Sequence, residues 1–168
     1  MAVLIHDFQH KRQTKANDCW YASIQMLLTW RAGVKAKPQG AAVANHRDVW
    51  AIGRTLSFGS DAGAQAMRDN GLVTVGNQLD TDEIDTVLKL LRKYGPFIVG
   101  GTLGPCGAGH FVVICGVNTS TRMVYRDNPA WGHGKAWKPM SYLKKVWTYP
   151  KSSNVCDESA VALRPVQA

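Results

Sequence analysis

No stretch of this chain approaches the roughly 18 apolar residues that a membrane-spanning helix needs. The apolar run near the start, Ala2 to Ile5, is far too short for the apolar region of a signal peptide. These absences lead to the expectation of a protein made in the cytoplasm that makes no use of a membrane. Cysteine is scarce as well: four residues, Cys19, Cys106, Cys115 and Cys156, with no CxxC pair and no metal-ligand spacing. Neither a zinc module nor a disulfide framework is indicated, and free thiols are the expectation. Acidic residues are few, 12 against 20 Lys and Arg, for a formal charge of +8. The basic residues are nevertheless dispersed, in short groups such as His10-Lys11-Arg12, Arg92-Lys93 and Lys144-Lys145, with no polybasic tail. No RNA-recognition signature, zinc-finger spacing or heptad run accompanies them, so nucleic acid is not the expected partner, and the charge reads as solubility that can also steer an acidic protein. There is no internal repeat and no low-complexity tract.

What remains is ordinary globular material. The 168 residues suit a single domain spanning 1–168. With 45% hydrophobic and 19% charged residues, a chain of this length can bury about 70% of its unfolded surface.

The strongest local pattern runs from Cys19 to Arg31, where Trp20, Ile24, Leu27 and Leu28 recur at helical spacing as one apolar stripe. Asn17 or Asp18 stands where an N-cap belongs, and Gly33 and Pro38 mark the far end. Ala41 to Ile52 and Ala62 to Asn70 are compatible with short helices, the second closed by Gly71. Asp80 and Glu83 form a capping-box pair ahead of Ile84, Val87, Leu88 and Leu91, with Gly95-Pro96 as the stop. The second half changes period. Phe97 to Thr102, His110 to Val117, Arg122 to Asp127 and Tyr142 to Tyr149 read as strands between turn residues. Helices first and strands after, with short connections such as Asn118 to Thr121, indicate an α+β fold: an N-terminal helical half packed on a mostly antiparallel sheet.

Chemistry enters at Cys19. A helix start presents unpaired N–H groups and a partial positive charge, which favours thiolate and predicts a lowered pKa. A nucleophilic cysteine needs a base, and among five histidines His110 is the one that opens a strong strand after a loop of small residues. His6, His10 and His46 lie in polar or weakly patterned segments and read as solvated, and His133 sits in a Gly-rich loop. The strand Arg122 to Asp127 returns beside His110 and sets Asp127 or Asn128 near it, either able to accept a hydrogen bond from the ring's Nδ1–H. Gln13, six residues before Cys19, supplies an amide donor for an oxyanion, together with the Cys19 backbone N–H. Cys115 reads as a core residue. Trp131, Trp137 and Trp147 read as packing residues, with Trp131 able to shield the histidine from water.

Glutamine six residues ahead of Cys19-Trp20-Tyr21-Ala22 resembles the nucleophile segment of papain-like cysteine proteases, and the order Gln13, Cys19, His110, Asp127 matches that clan. The compact second half, with Gly109-His110-Phe111 and Arg126-Asp127-Asn128-Pro129, is more similar to its small bacterial branches: the double-glycine leader peptidases (C39-like) and the AvrRpt2-like effector proteases (C70-like). Cys19-Trp20 resembles the effector branch. The resemblance implies Cys19 as nucleophile, His110 as base and then acid, Asp127 as orienting group and Gln13 in the oxyanion hole, with no metal or organic cofactor. Asp127-Asn128-Pro129 has one residue more than the Asp-Pro of leader peptidases, and Asn128 to Gly132 resembles papain's Asn-Ser-Trp-Gly, so the third residue is Asp127 or Asn128. The resemblance further implies a protein or peptide substrate cut after glycine or another small residue. It also implies a bacterial effector or toxin sent out by a specialised secretion system, or released as a domain of a larger toxin, with an immunity or activating protein as partner. Two other readings compete: an amidase of peptidoglycan using the same site, and a basic binding module in which Cys19 is incidental.

Overall fold

The computed structural model describes residues 2–15, 18–34, 61–75, 83–102, 109–147 and 160–163. Within them one sheet of seven strands organises the chain, and every paired neighbour is antiparallel. The elements in chain order are β1 (Val3–Ile5), α1 (Cys19–Val34), α2 (Asp61–Asp69), β2 (Leu72–Thr74), α3 (Ile84–Tyr94), β3 (Phe97–Thr102), β4 (Gly109–Asn118), β5 (Met123–Asp127), β6 (Lys135–Pro139), α4 (Met140–Trp147) and β7 (Ala160–Leu163). Strand order across the sheet is β2-β7-β3-β4-β5-β6, with β1 added alongside the end of β4. This is the expected α+β architecture with a helix-rich first half.

Alternation along the strands feeds two cores. Phe97, Val99, Val112 and Ile114 pack with the α3 residues Ile84, Val87, Leu88 and Leu91 and with Met140 and Leu143 of α4. Ile98, Phe111, Val113 and Cys115 pack instead with Trp20, Ile24, Met26 and Leu27 of α1. Register shifts between Ile114 and Gly116, a bulge that reverses the alternation, so Val117 joins the α3 core although Cys115 lies in the α1 core. Gly116 suits this crowding, since a Cβ there would lie 2.8 Å from the Leu4 carbonyl oxygen.

Helix α1 is buried more completely than one stripe predicts. Trp20, Ile24 and Leu27 are sealed as expected, but so are Ala22, Ser23 and Met26, while Leu28 is only partly buried. Burial of Ile24, Met26 and Leu27 contributes roughly 1.5–3 kcal/mol each, which fixes the helix that begins at Cys19. Asn17 lies outside the described residues, as do the Ala41 to Ile52 segment and Asp80. Glu83 occupies the N-cap of α3 without a side-chain capping bond, and Gly95 closes that helix at φ 77° with its N–H on the Leu91 carbonyl. Any Cβ at Gly95 would collide with the Trp30 ring.

One expectation is overturned. The strand expected over Tyr142 to Tyr149 does not form in its described part, because Met140–Trp147 is helical, and residues 148 and 149 lie outside the described residues. Aromatic and β-branched residues suggested a strand, but Met140 and Leu143, three apart, both enter the α3 core, and helical spacing wins. The strand beside β5 comes earlier, at Lys135–Pro139. No helix among the described residues is long and apolar enough to cross a membrane.

Candidate active site

Cys19 is the first residue of α1 and is 3% exposed. Asp18 organises the approach to it: its carboxylate accepts hydrogen bonds from the Thr14 N–H (3.2 Å), the Thr14 hydroxyl (2.9 Å) and the Lys15 N–H (3.1 Å). The expected lowering of the Cys19 pKa is overturned. Burial pushes the thiol up to about 11, against backbone hydrogen bonds from Phe111, Trp20 and Cys19 itself that pull it down, and the Asp18 charge adds to the rise. The helix-terminal N–H groups act in the anticipated direction, but desolvation is larger. The backbone hydrogen bond with Phe111, the residue after His110, sets the sulfur against β4.

His110 is the second residue of β4, and its Nε2 lies 2.7 Å from Asn128 Oδ1. The same Oδ1 accepts the backbone N–H of Ala130 at 2.9 Å. A backbone N–H can only donate, so the amide oxygen stands at this position and the ring's Nε2 carries the proton toward it. In the neutral ring, Nδ1 is then the basic nitrogen. Burial lowers the pKa of His110; the Asn128 bond opposes this, and the nearby charges of His133 and Arg126 add to the lowering.

The structure places Asp127 elsewhere. Its Oδ1 lies 2.6 Å from His10 Nδ1, and the residue is 0% exposed. Asp127 is the last residue of β5 and turns its carboxyl toward His10, while Asn128, just past the strand end, reaches His110. The hydrogen bond to the His110 ring expected of Asp127 is made by Asn128, through Nε2 rather than Nδ1.

Gln13 is buried, with its side-chain Nε2 2.9 Å from the Lys15 carbonyl. Its backbone N–H donates to the Pro129 carbonyl at 2.9 Å, and its own carbonyl accepts Trp131 Nε1–H at 2.8 Å. The loop before α1 is thus laced to the loop after β5.

The chain as a whole has counterparts among known proteins. The family model for papain-like cysteine protease AvrRpt2, Peptidase_C70, matches residues 4–145. The chain belongs to that family, and it is a cysteine peptidase. A solved structure described as a double glycine motif protease from an AMS/PCAT transporter, in complex with the leader peptide, superposes with a TM-score of 0.59. That alignment covers 96% of this chain and 94% of the other at 20% identity, a likeness of fold. No curated protein sequence matches.

Several residues of this papain-like protease depart from the sequence reading. His10 is not merely solvated, since it holds Asp127, and His6 is half-buried with Nε2 3.0 Å from the Leu91 carbonyl and its ring edge-on to Trp30. Neither contact leaves a local signal, because the partners lie 117 and 85 residues away. Trp131 is 66% exposed with the Arg12 guanidinium 5.4 Å from its ring centre, so it is not a packing residue. Cys115 is buried as expected, its Sγ 3.4 Å from the Tyr125 carbonyl. His46, Cys106 and Cys156 lie outside the described residues.

Proposed function

We propose that this protease cleaves a peptide bond in a protein or peptide through an acyl-enzyme on Cys19, with His110 as base and acid, Asn128 as the residue that orients His110, and Gln13 as an oxyanion donor. The observation that carries the reading is the 2.7 Å bond from His110 Nε2 to Asn128 Oδ1, which reserves Nδ1 for proton transfer. Because burial keeps the Cys19 thiol protonated and His110 neutral at rest, the thiol proton moves to Nδ1 as sulfur attacks the carbonyl carbon. The C–N bond then breaks as His110 returns that proton to the leaving amine. Water, deprotonated by His110, hydrolyses the thioester and frees Cys19. The Gln13 amide and the Cys19 N–H stabilise the oxyanion of both steps.

A cut after glycine or another small residue, and an effector or toxin role with an immunity or activating partner, are supported by the sequence resemblance to the leader peptidases and effector proteases. The leader peptide held by the solved double glycine motif protease supports a peptide as substrate. Digestion of a proteome-derived peptide library tests the reading. New N-termini sharing a small residue before the cut, absent with Cys19→Ala, are expected. Equal digestion by Cys19→Ala would overturn it.

A further inference from the structure

Asp127 is a buried carboxyl group that the proposed chemistry does not use. It is 0% exposed, its Oδ1 is held by His10 Nδ1 at 2.6 Å, and its Oδ2 has no hydrogen-bond partner among the described residues. One imidazole is therefore what ties this group down. Keeping a half-satisfied carboxyl inside the protein costs stability, and such a cost beside a catalytic residue calls for a compensating use.

The two partners flank the site in a particular way. Asp127 immediately precedes Asn128, and His10 stands three residues before Gln13. Between these runs three bonds form a ladder: His10 to Asp127, Gln13 N–H to the Pro129 carbonyl at 2.9 Å, and Trp131 Nε1–H to the Gln13 carbonyl at 2.8 Å. The strap before Gln13 is fastened at its other end by Lys135 of β6, whose Nζ reaches Asp7 Oδ1 and the Phe8 carbonyl, each at 2.5 Å. His10 is the rung that joins this strap to the last residue of β5.

We infer that His10 and Asp127 are a positioning pair that locks the segment carrying Gln13 to the segment carrying Asn128, so that the oxyanion donor and the amide orienting His110 are held in one fixed relation. Asp127, fully buried, acts only through His10 and the chain around it. The inference rests on the catalytic set proposed above, and it predicts that the rung governs turnover rather than binding, since a misplaced oxyanion donor or a tilted imidazole weakens the transition state more than the ground state.

The test is steady-state kinetics on a peptide cut by the wild type, with His10→Ala, His10→Asn and His10→Gln, each first checked for folding by circular dichroism. Asparagine places its side-chain N–H where Nδ1 stood, whereas glutamine carries it one methylene farther out. His10→Ala is expected to lower kcat by about 10-fold or more with KM changed less than about 2-fold, and His10→Asn to restore kcat to within about 3-fold of wild type. His10→Gln should remain about as slow as His10→Ala. If His10→Ala does not fold, the asparagine and glutamine variants decide the matter. Equal kcat in those two, or a change confined to KM, overturns the inference. Cys19→Ala in the same assay separates the two levels: if it is dead while all His10 variants match wild type, only the positioning pair fails, and if it cleaves like wild type, the catalytic reading fails.

Discussion

His110 and Asn128 meet through Nε2 and Oδ1 at 2.7 Å, and the Ala130 N–H bound to the same oxygen fixes which atom donates. That single relationship assigns the tautomer of His110 and separates Asn128 from its neighbour Asp127. Asn128→Ala is expected to lower kcat by about 10²-fold with little change in KM, because the ring loses its orientation but the substrate loses no contact. Asn128→Asp keeps an acceptor at the same place and should retain much more activity. Kinetics of both variants on one peptide check the pair.

Gln13→Ala removes an amide donor from the proposed oxyanion hole while leaving its backbone bonds to Pro129 and Trp131 in place. A fall of roughly 10²–10³ in kcat is expected, about 2.7–4 kcal/mol, with KM nearly constant. A rise in KM alone would assign Gln13 to substrate binding.

Cys19 alkylation reports how the proposed nucleophile is held. With burial pushing its thiol up to about 11, the rate with iodoacetamide should keep rising from neutral toward that pH. A rate that is already on a plateau near pH 6 would mean a preformed thiolate. Mass spectrometry of the modified peptide distinguishes Cys19 from Cys115, which burial pushes up to about 12.

Stability should fall on acidification. Burial lowers the pKa values of His110 and His6 below 6.5, so under acid the unfolded chain binds protons that the folded one does not. Stability contributed in this way is present above about 6.5 and is lost as pH falls through the lowered folded values. Denaturant midpoints between neutral and acid pH measure the slope, and His6→Gln should flatten it.

Gly100 lies opposite Phe111 in the β3–β4 pairing, and a Cβ there would come 2.5 Å from the Phe111 ring. Gly100→Ala should cost about 1–3 kcal/mol by overpacking. Because the Phe111 backbone also bonds the Cys19 sulfur, the substitution should slow turnover as well. Thermal unfolding and kcat measured together check both effects.

Much of this site is legible along the chain because its parts are local. A helix opening at Cys19 follows from the spacing of Trp20, Ile24 and Leu27, and a strand at His110 from the run Phe111 to Ile114. The choice between Asp127 and Asn128 is not local, since it depends on the register of β5 against β4 and on where the chain turns at the end of β5, and only the folded sheet supplies that. The rise in the Cys19 pKa is hidden for a related reason: the helix terminus is visible in the sequence, but the burial that outweighs it comes from β4 and the α1 core. Helix α4 was concealed by the β propensity of Tyr142, Val146 and Trp147. Strands β1, β2 and β7 have three or four residues each, too few for a period, and exist through partners far away in sequence.

The most direct test of the account is intact-protein mass spectrometry of the wild type, rapidly quenched during turnover of a peptide it cleaves. The expected adduct has the mass of the N-terminal product less one water, maps to Cys19, is lost in Cys19→Ala and forms more slowly in Asn128→Ala. Cleavage with no adduct at Cys19, or an undiminished rate in Cys19→Ala, would contradict the account.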